Sequence, residues 1–254
     1  MFRYKGKVVM ITGGARGVGA SCAQRFAKEG AKVAILDIDL DQAQVLAEDL
    51  GGVGFYCNVA DQHSVDTAVQ NVVSTLGRLD VLVANAGVYK SWPLSENRIE
   101  DWQRLVDINL TGTYLSCQAV AQQMISQQSG SIVVMSSMAA KTSWPNSAAY
   151  SATKTGAIGL VRSVAMELGP DNINCNAVCL GHADTEMLHQ VDRSICEEYG
   201  WSRGTFIQQL IESNPMKRLA SLEETAALVS FLASDEARYI NGQAIELDGG
   251  KIMS

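Results

Sequence analysis

Tyr150 and Lys154 stand four residues apart in Tyr150-Ser151-Ala152-Thr153-Lys154, near the start of a long helical run. That spacing puts two side chains on one helix face, a turn apart. A phenol and an ammonium can therefore point into one cleft. A free phenol, with a pKa near ~10, is a poor base at neutral pH. A fixed cation beside it favours the phenolate, and the pair can then carry a proton to or from an oxygen. A lone Tyr-x-x-x-Lys match is weak, because a surface tyrosine over a solvated lysine has the same spelling. Its company strengthens it: Ser136-Ser137 lies upstream, and a glycine-rich turn lies near the start of the chain.

That turn is Thr12-Gly13-Gly14-Ala15-Arg16-Gly17-Val18-Gly19. It follows the apolar run Val8–Ile11, which reads as a buried parallel strand. It precedes a helical pattern with Val18, Cys22 and Phe26 on one face. Lys32–Asp37 then reads as a second strand, completing a β-α-β unit. Such glycines let the backbone approach a pyrophosphate at a helix N-terminus, where amides and the helix dipole favour anions. The spacing Gly-x-x-x-Gly-x-Gly differs from the usual dinucleotide fingerprint, and glycine-rich turns also occur without a ligand. Asp37 closes the second strand, where a carboxylate can bond the adenosine ribose hydroxyls. A carboxylate there repels a 2′-phosphate and selects NAD over NADP. Arg16 pulls the other way, since a basic side chain in the glycine loop could meet that phosphate. Charge repulsion at Asp37 is taken as the stronger discriminator.

The remaining chain alternates. Helices are expected over 41–50, 65–76, 99–127 (interrupted near Asn109 and Gly112), 147–168 and 222–233. Strands are expected over 53–57, 80–84, 131–135, 174–178 and 243–247. Alternation of this kind implies a doubly wound, Rossmann-type α/β sheet of about seven mostly parallel strands with helices on both faces. No linker, repeat or low-complexity stretch divides the chain, so residues 1–254 are read as one domain, with a helical excursion over 184–215. Ligands bind such sheets at the carboxyl ends of the strands. Gly13–Gly19, Asp37, Asn85-Ala86-Gly87, Ser136-Ser137 and Leu180-Gly181 all follow strands, so they should line one edge.

The bulk composition narrows the classes. The chain has 254 residues, 47% hydrophobic residues and a formal net charge of -7. The acidic balance argues against a general nucleic-acid binder and gives no reason to invoke an anionic membrane surface. Val8–Ile11 is too short for a signal or membrane-spanning segment, so a cytoplasmic location is expected. Six scattered cysteines lack any Cys-x-x-Cys pair and read as reduced core thiols. Cys175, Cys179, His182 and His189 match no common zinc spacing; no metal is assigned.

Taken jointly, Thr12–Gly19, Asn85-Ala86-Gly87, Asn109, Ser137, Tyr150-x-x-x-Lys154 and Asp248-Gly249-Gly250 resemble the short-chain dehydrogenase/reductase family over essentially the whole chain. The resemblance implies hydride transfer between NAD(H) and a small secondary alcohol, polyol or ketone. It implies that Tyr150 is the general acid/base and that Lys154 lowers its pKa and bonds the nicotinamide ribose. It further implies that Ser137 holds the substrate oxygen, that Asn109 breaks its helix and holds a water, and that Thr185 bonds the carboxamide. Cofactor contacts are expected from Gly13, Arg16, Gly17, Val18, Gly19, Asp37, Asn58, Val59, Asn85, Ala86, Gly87, Tyr150, Lys154, Gly181 and Thr185. Two positions depart from the family pattern: Leu180-Gly181 replaces Pro-Gly, and Asn58 replaces Asp. Asn58 still offers an amide oxygen as acceptor.

Substrate contacts are expected at His182, Trp144 and Met187, with Tyr89 also bordering the pocket and the 184–215 excursion forming a lid. The stretch from Met187 to Leu219 resembles the subgroup acting on polyols, sugars and acetoin or butanediol. The family usually forms tetramers or dimers through the helices carrying Asn109 and Tyr150. Two alternatives stay open: an NADPH-preferring carbonyl reductase, favoured by Arg16, and a catalytically silent nucleotide-binding protein of the same fold.

Overall fold

The structure, a computed structural model, describes residues 3–253. Seven strands pair in the order β3-β2-β1-β4-β5-β6-β7, every pair parallel. They are β1 (Val8–Thr12), β2 (Lys32–Asp37), β3 (Val53–Tyr56), β4 (Val81–Ala84), β5 (Gly130–Ser137), β6 (Ile173–Leu180) and β7 (Ala244–Leu247). The chain winds outward through β1, β2 and β3, then returns to lay β4 beside β1. That reversal opens a crevice between β1 and β4 at their carboxyl ends, the place where such sheets take ligands.

Each strand contributes to two cores because successive side chains alternate faces. Val8 and Met10 join Leu82, Ile132 and Val134 under α3 (Gln62–Leu76), α5 (Gly112–Gln127) and α6 (Ala148–Leu168). Val9 and Ile11 join Val83 and Val133 under α1 (Gly17–Lys28), α2 (Leu40–Asp49) and α9 (Leu222–Leu232). Phe26 of α1 is fully buried there; removing a ring of that kind from water contributes roughly 1.5–3 kcal/mol. The sheet is thus sandwiched, as the continuous apolar strands require.

Helix starts follow local chemistry. The Asp39 side chain accepts from the Gln42 amide ahead of α2, and Asp61 accepts from His63 and Ser64 ahead of α3. Ser221 and Glu224 form a reciprocal capping box at α9. Between α4 (Ile99–Val106) and α5 the helix widens into a π-turn over Asp107–Thr111. This is the expected interruption near Asn109 and Gly112, and its cause is tertiary. A side chain on Gly112 would put its Cβ 2.8 Å from Val59 Cγ2, so the helix must lie flush on that residue. The excursion after β6 resolves into two helices, α7 (Glu186–Tyr199) and α8 (Thr205–Ser213). No helix among the described residues is long and apolar enough to cross a membrane.

Candidate active site

The glycine loop leaves β1 with Gly13 in the left-handed region, φ +59°. Gly19, in the first turn of α1, lies against it: a Cβ there would stand 2.2 Å from the Gly13 carbonyl oxygen and 2.7 Å from Asn85 Nδ2. Only hydrogen fits. The amide end of α1 carries no side-chain cap, so its N–H groups stay available to an anion. These features fit a dinucleotide pyrophosphate.

Asp37 is buried at 6% exposure, and both oxygens are engaged: Oδ2 accepts from Ala15 N at 3.1 Å and Oδ1 from Asp39 N at 3.1 Å. The loop amide at Ala15 thereby fixes the carboxylate beside the crevice. Arg16, next to it, is exposed. A second brace crosses from β4. Asn85 Nδ2 donates to the carbonyls of Thr12 and Gly13 at 3.0 and 2.8 Å, while Thr12 Oγ1 accepts from the Asn85 and Ala86 amides. The Asn85 amide donors thus bind the loop and hold it against the start of the Ala86-Gly87 turn. Thr12 was not singled out from the sequence, although a hydroxyl closing an apolar strand was the available signal.

Asn58 closes its own loop, its Oδ1 accepting from Ala60 N at 3.1 Å. It lines an open groove of about 580 Å³ with Arg104 and Ile108, while Val59 is buried beneath α5. Gly17 and Val18 open α1 at the same rim.

Tyr150, Lys154, Ser137 and Asn109 come together at the carboxyl ends of β4 and β5. Lys154 is 6% exposed and its Nζ donates to the Met135 carbonyl at 2.8 Å, lying 5.8 Å from the centre of the Tyr150 ring. A Cβ on Gly87 would meet Asn109 Oδ1 at 3.2 Å and Lys154 Nζ at 3.4 Å, which shows how closely the three converge. Asn109 is fully buried and paired on both sides with the backbone of Val88: Oδ1 accepts its N–H at 2.8 Å and Nδ2 donates to its carbonyl at 2.9 Å. The π-turn aims this side chain at Val88, in the loop that follows β4. Ser136 turns away, its hydroxyl donating to the Lys154 carbonyl. Ser137 accepts from Ala139 N at 3.1 Å, which leaves its own proton for another oxygen, and its hydroxyl acts on the Tyr150 phenol as a partner favouring the phenolate.

The phenol of Tyr150 lies above its ordinary value, where a lowered one was expected. Burial pushes its phenol up to about 12, the Ser137 hydroxyl offsets part of that rise, and the neighbouring Tyr89 adds to it. Burial also brings the Lys154 ammonium down to about 8, with a small opposing pull from Cys179. Burial disfavours the charged form of each group, the phenolate of Tyr150 and the ammonium of Lys154. At neutral pH the phenol is therefore held protonated, beside the Ser137 hydroxyl.

Around this centre, the Trp144 and His182 rings face each other at 6.1 Å. His182 is lowered from its ordinary value by burial and, secondarily, by the Lys251 charge. Gly181 packs on the tail after β7, where a Cβ would lie 2.7 Å from Asp248 Cα. Thr185 caps α7, its Oγ1 accepting from Leu188 N at 3.2 Å, which leaves the hydroxyl proton for another partner. Met187 is 41% exposed at the start of α7. An unanticipated clamp holds α7 to α8: the buried carboxylate of Asp192 accepts from Gly204 N at 2.8 Å and Ile207 N at 3.1 Å. Burial works against its charge, but these amides hold its pKa below the usual value.

Comparison with known proteins agrees with this geometry. The enoyl-(acyl carrier protein) reductase family model matches residues 13–251. The chain is 39% identical to D-threitol dehydrogenase of Mycolicibacterium smegmatis over 254 residues, covering 98% of this chain and 94% of that one. Among solved structures, levodione reductase superposes with a TM-score of 0.91 at 32% identity, covering 98% of both chains. A 3-ketoacyl-(acyl-carrier-protein) reductase from Brucella melitensis, complexed with NADH, gives 0.88 at 30% identity, covering 98% of this chain and all of that one. A glycine-loop crevice, the Ser137, Tyr150 and Lys154 cluster and matches along almost the whole chain have one conclusion: the protein belongs to the short-chain dehydrogenase/reductase family of oxidoreductases.

Proposed function

We propose that this protein is an NAD-dependent dehydrogenase of small secondary alcohols or polyols. The observation that carries the reading is the meeting of Ser137, Tyr150 and Lys154 beside a crevice whose ribose end is guarded by the buried Asp37. Gly13, Gly17, Val18 and Gly19 would admit the pyrophosphate. Asp37 would accept from the adenosine ribose, with Asn58, Val59, Asn85, Ala86 and Gly87 around the adenine and ribose. Lys154 would turn its donor from Met135 to the nicotinamide ribose, and Gly181 and Thr185 would border the carboxamide. When bound, the nicotinamide ring supplies the two-electron acceptor chemistry. Tyr150 would take or give the proton at the substrate oxygen, Ser137 would hold that oxygen, and Asn109 would hold the π-turn beside Lys154.

Lysine at hydrogen-bond reach of a ribose would also change the balance seen above, because a charged ammonium retained there favours the phenolate. His182, Trp144 and Met187 would meet the substrate, and α7 and α8 would act as the lid over a single 1–254 domain. The kinship with D-threitol dehydrogenase favours a polyol. A homotetramer or dimer in the cytoplasm completes the reading; the exposed Tyr114 on α5 and Met166 on α6 favour self-association through those helices.

The test is initial rates with NAD and with NADP over a panel of polyols, diols and sugars. NAD-dependent oxidation of a polyol is the expected result. A clear preference for NADP would defeat the Asp37 reading and favour the second one, an NADPH-preferring carbonyl reductase, for which the exposed Arg16 speaks. Cofactor binding with no turnover on any substrate would favour a silent nucleotide-binding protein.

A further inference from the structure

Tyr89 follows the Asn85-Ala86-Gly87 turn beyond β4, and its ring stands edge-on to that of Tyr150, centroids 4.9 Å apart and planes at 80°. Edge-to-face contact at this distance is a favourable aromatic arrangement and holds one ring against the other. A phenylalanine would make the same contact, so the hydroxyl needs a separate explanation. Its oxygen lies 3.5 Å from Ser147 Oγ, at the outer limit of a hydrogen bond. Ser147 precedes α6 but its hydroxyl does not cap that helix. One turn further along the same helix face, Ser151 Oγ is buried with no hydrogen-bond partner among the described residues. Among the described residues, the hydroxyls of Tyr89 and Ser147 thus meet only each other, at that outer limit, and that of Ser151 has no partner. The two phenols are also electrostatic neighbours, since charge on Tyr89 would oppose ionisation of Tyr150.

We infer that Tyr89 is a specificity residue: its hydroxyl bonds the hydroxyl on the carbon next to the reacting carbinol, so that vicinal diols and polyols are preferred over monohydric alcohols. This rests on the dehydrogenase reading given above. The contact with Tyr150 holds the Tyr89 ring directly beside the phenol that would serve the reacting oxygen. A weak contact to Ser147 is given up at little cost when a substrate hydroxyl replaces it.

The experiment compares kcat/KM for 2,3-butanediol and 2-butanol with NAD, in the natural protein and in Tyr89→Phe, which keeps the ring contact. The expected result is a diol-over-alcohol ratio lowered by about threefold to tenfold, the range of one neutral hydrogen bond. Ser147→Ala serves as the second variant and should move the same ratio by a smaller factor, since it alters only the resting partner of Tyr89. A ratio that stays within twofold in Tyr89→Phe, with turnover retained, overturns the assignment of Tyr89 alone. No turnover by the natural protein of any alcohol in the panel of polyols, diols and sugars, with NAD or NADP, overturns the dehydrogenase reading and the Tyr89 assignment with it; turnover with no preference for 2,3-butanediol over 2-butanol overturns the Tyr89 assignment alone.

Discussion

The glycine-loop end of the crevice and the α7–α8 excursion are held by different means. At the loop end, backbone meets backbone: Gly19 leaves no room for a methyl group against the Gly13 carbonyl, and Asn85 and Asp37 fix the loop through main-chain partners. At the α7–α8 excursion, side chains set the positions. Asp192 joins α7 to α8, and Asn214 Nδ2 donates to the Asp248 carbonyl at 2.8 Å to moor the end of α8 to the tail after β7. Met187, Tyr199 and Trp201 remain substantially exposed. A ligand part common to many reactions can be met by a rigid backbone. A variable substrate is met by side chains on helices that a few hydrogen bonds can hold or release.

The boundary between the two ends is Tyr150, and breaking it should have the largest effect. Tyr150→Phe should lower kcat by about 10²- to 10⁴-fold, the usual contribution of a positioned acid or base. NAD affinity, read by fluorescence titration, should change far less; a variant that keeps its turnover would remove the mechanism.

At the loop end, Gly19→Ala must displace backbone, since its Cβ would stand 2.2 Å from a carbonyl oxygen. We expect a destabilisation of about 1–3 kcal/mol and NAD affinity weakened by more than tenfold. Full affinity with normal stability would show that the loop is looser than its contacts suggest.

Alkaline titration separates the buried core from the rest. Burial raises the thiols of Cys22, Cys57 and Cys117 to about 12, and Cys175 is raised well above its ordinary value by burial and by Cys117. The unfolded chain releases these protons first. Between about pH 9 and 12 it binds fewer protons than the folded one, so this stability is full below pH 9 and falls as pH rises. Each thiol contributes a slope of up to about 1.4 kcal/mol per pH unit. Urea midpoints at pH 8 and pH 10 should differ accordingly, and Cys117→Ala should flatten the fall. A midpoint indifferent to pH would contradict the burial.

The smallest effect is at the α7–α8 excursion. Asp192→Ala removes the acceptor for the first amides of α8 and should cost about 1 kcal/mol, the usual loss at a helix cap. KM for the alcohol should rise severalfold with less change in kcat. Equal losses in both would mean that the clamp reaches the chemistry.

Much of the fold was legible because parallel strands buried on both faces read as apolar runs and their covering helices as periodic ones. All seven strands lie where expected, but β5 and β6 run to Ser137 and Leu180. Their register pairs those two residues, extending the ladder through polar positions that looked like its end. The site cluster was legible as spacing and resemblance. Thr12, Tyr89, Ser147 and Asp192 were harder to weigh, because each gains its meaning from a partner distant in sequence or from a local loop shape.

What the sequence by itself determined was which side chains share a helix face or follow a strand, since those relations depend only on the repeat of the backbone. The protonation of Tyr150 was decided by the tertiary structure alone. A Tyr-x-x-x-Lys spacing places a cation near a phenol, but how far both are stripped of water depends on the sheet, the π-turn and the Val88 segment closing around them. Desolvation grows with that enclosure, and here it raises the phenol and lowers the ammonium.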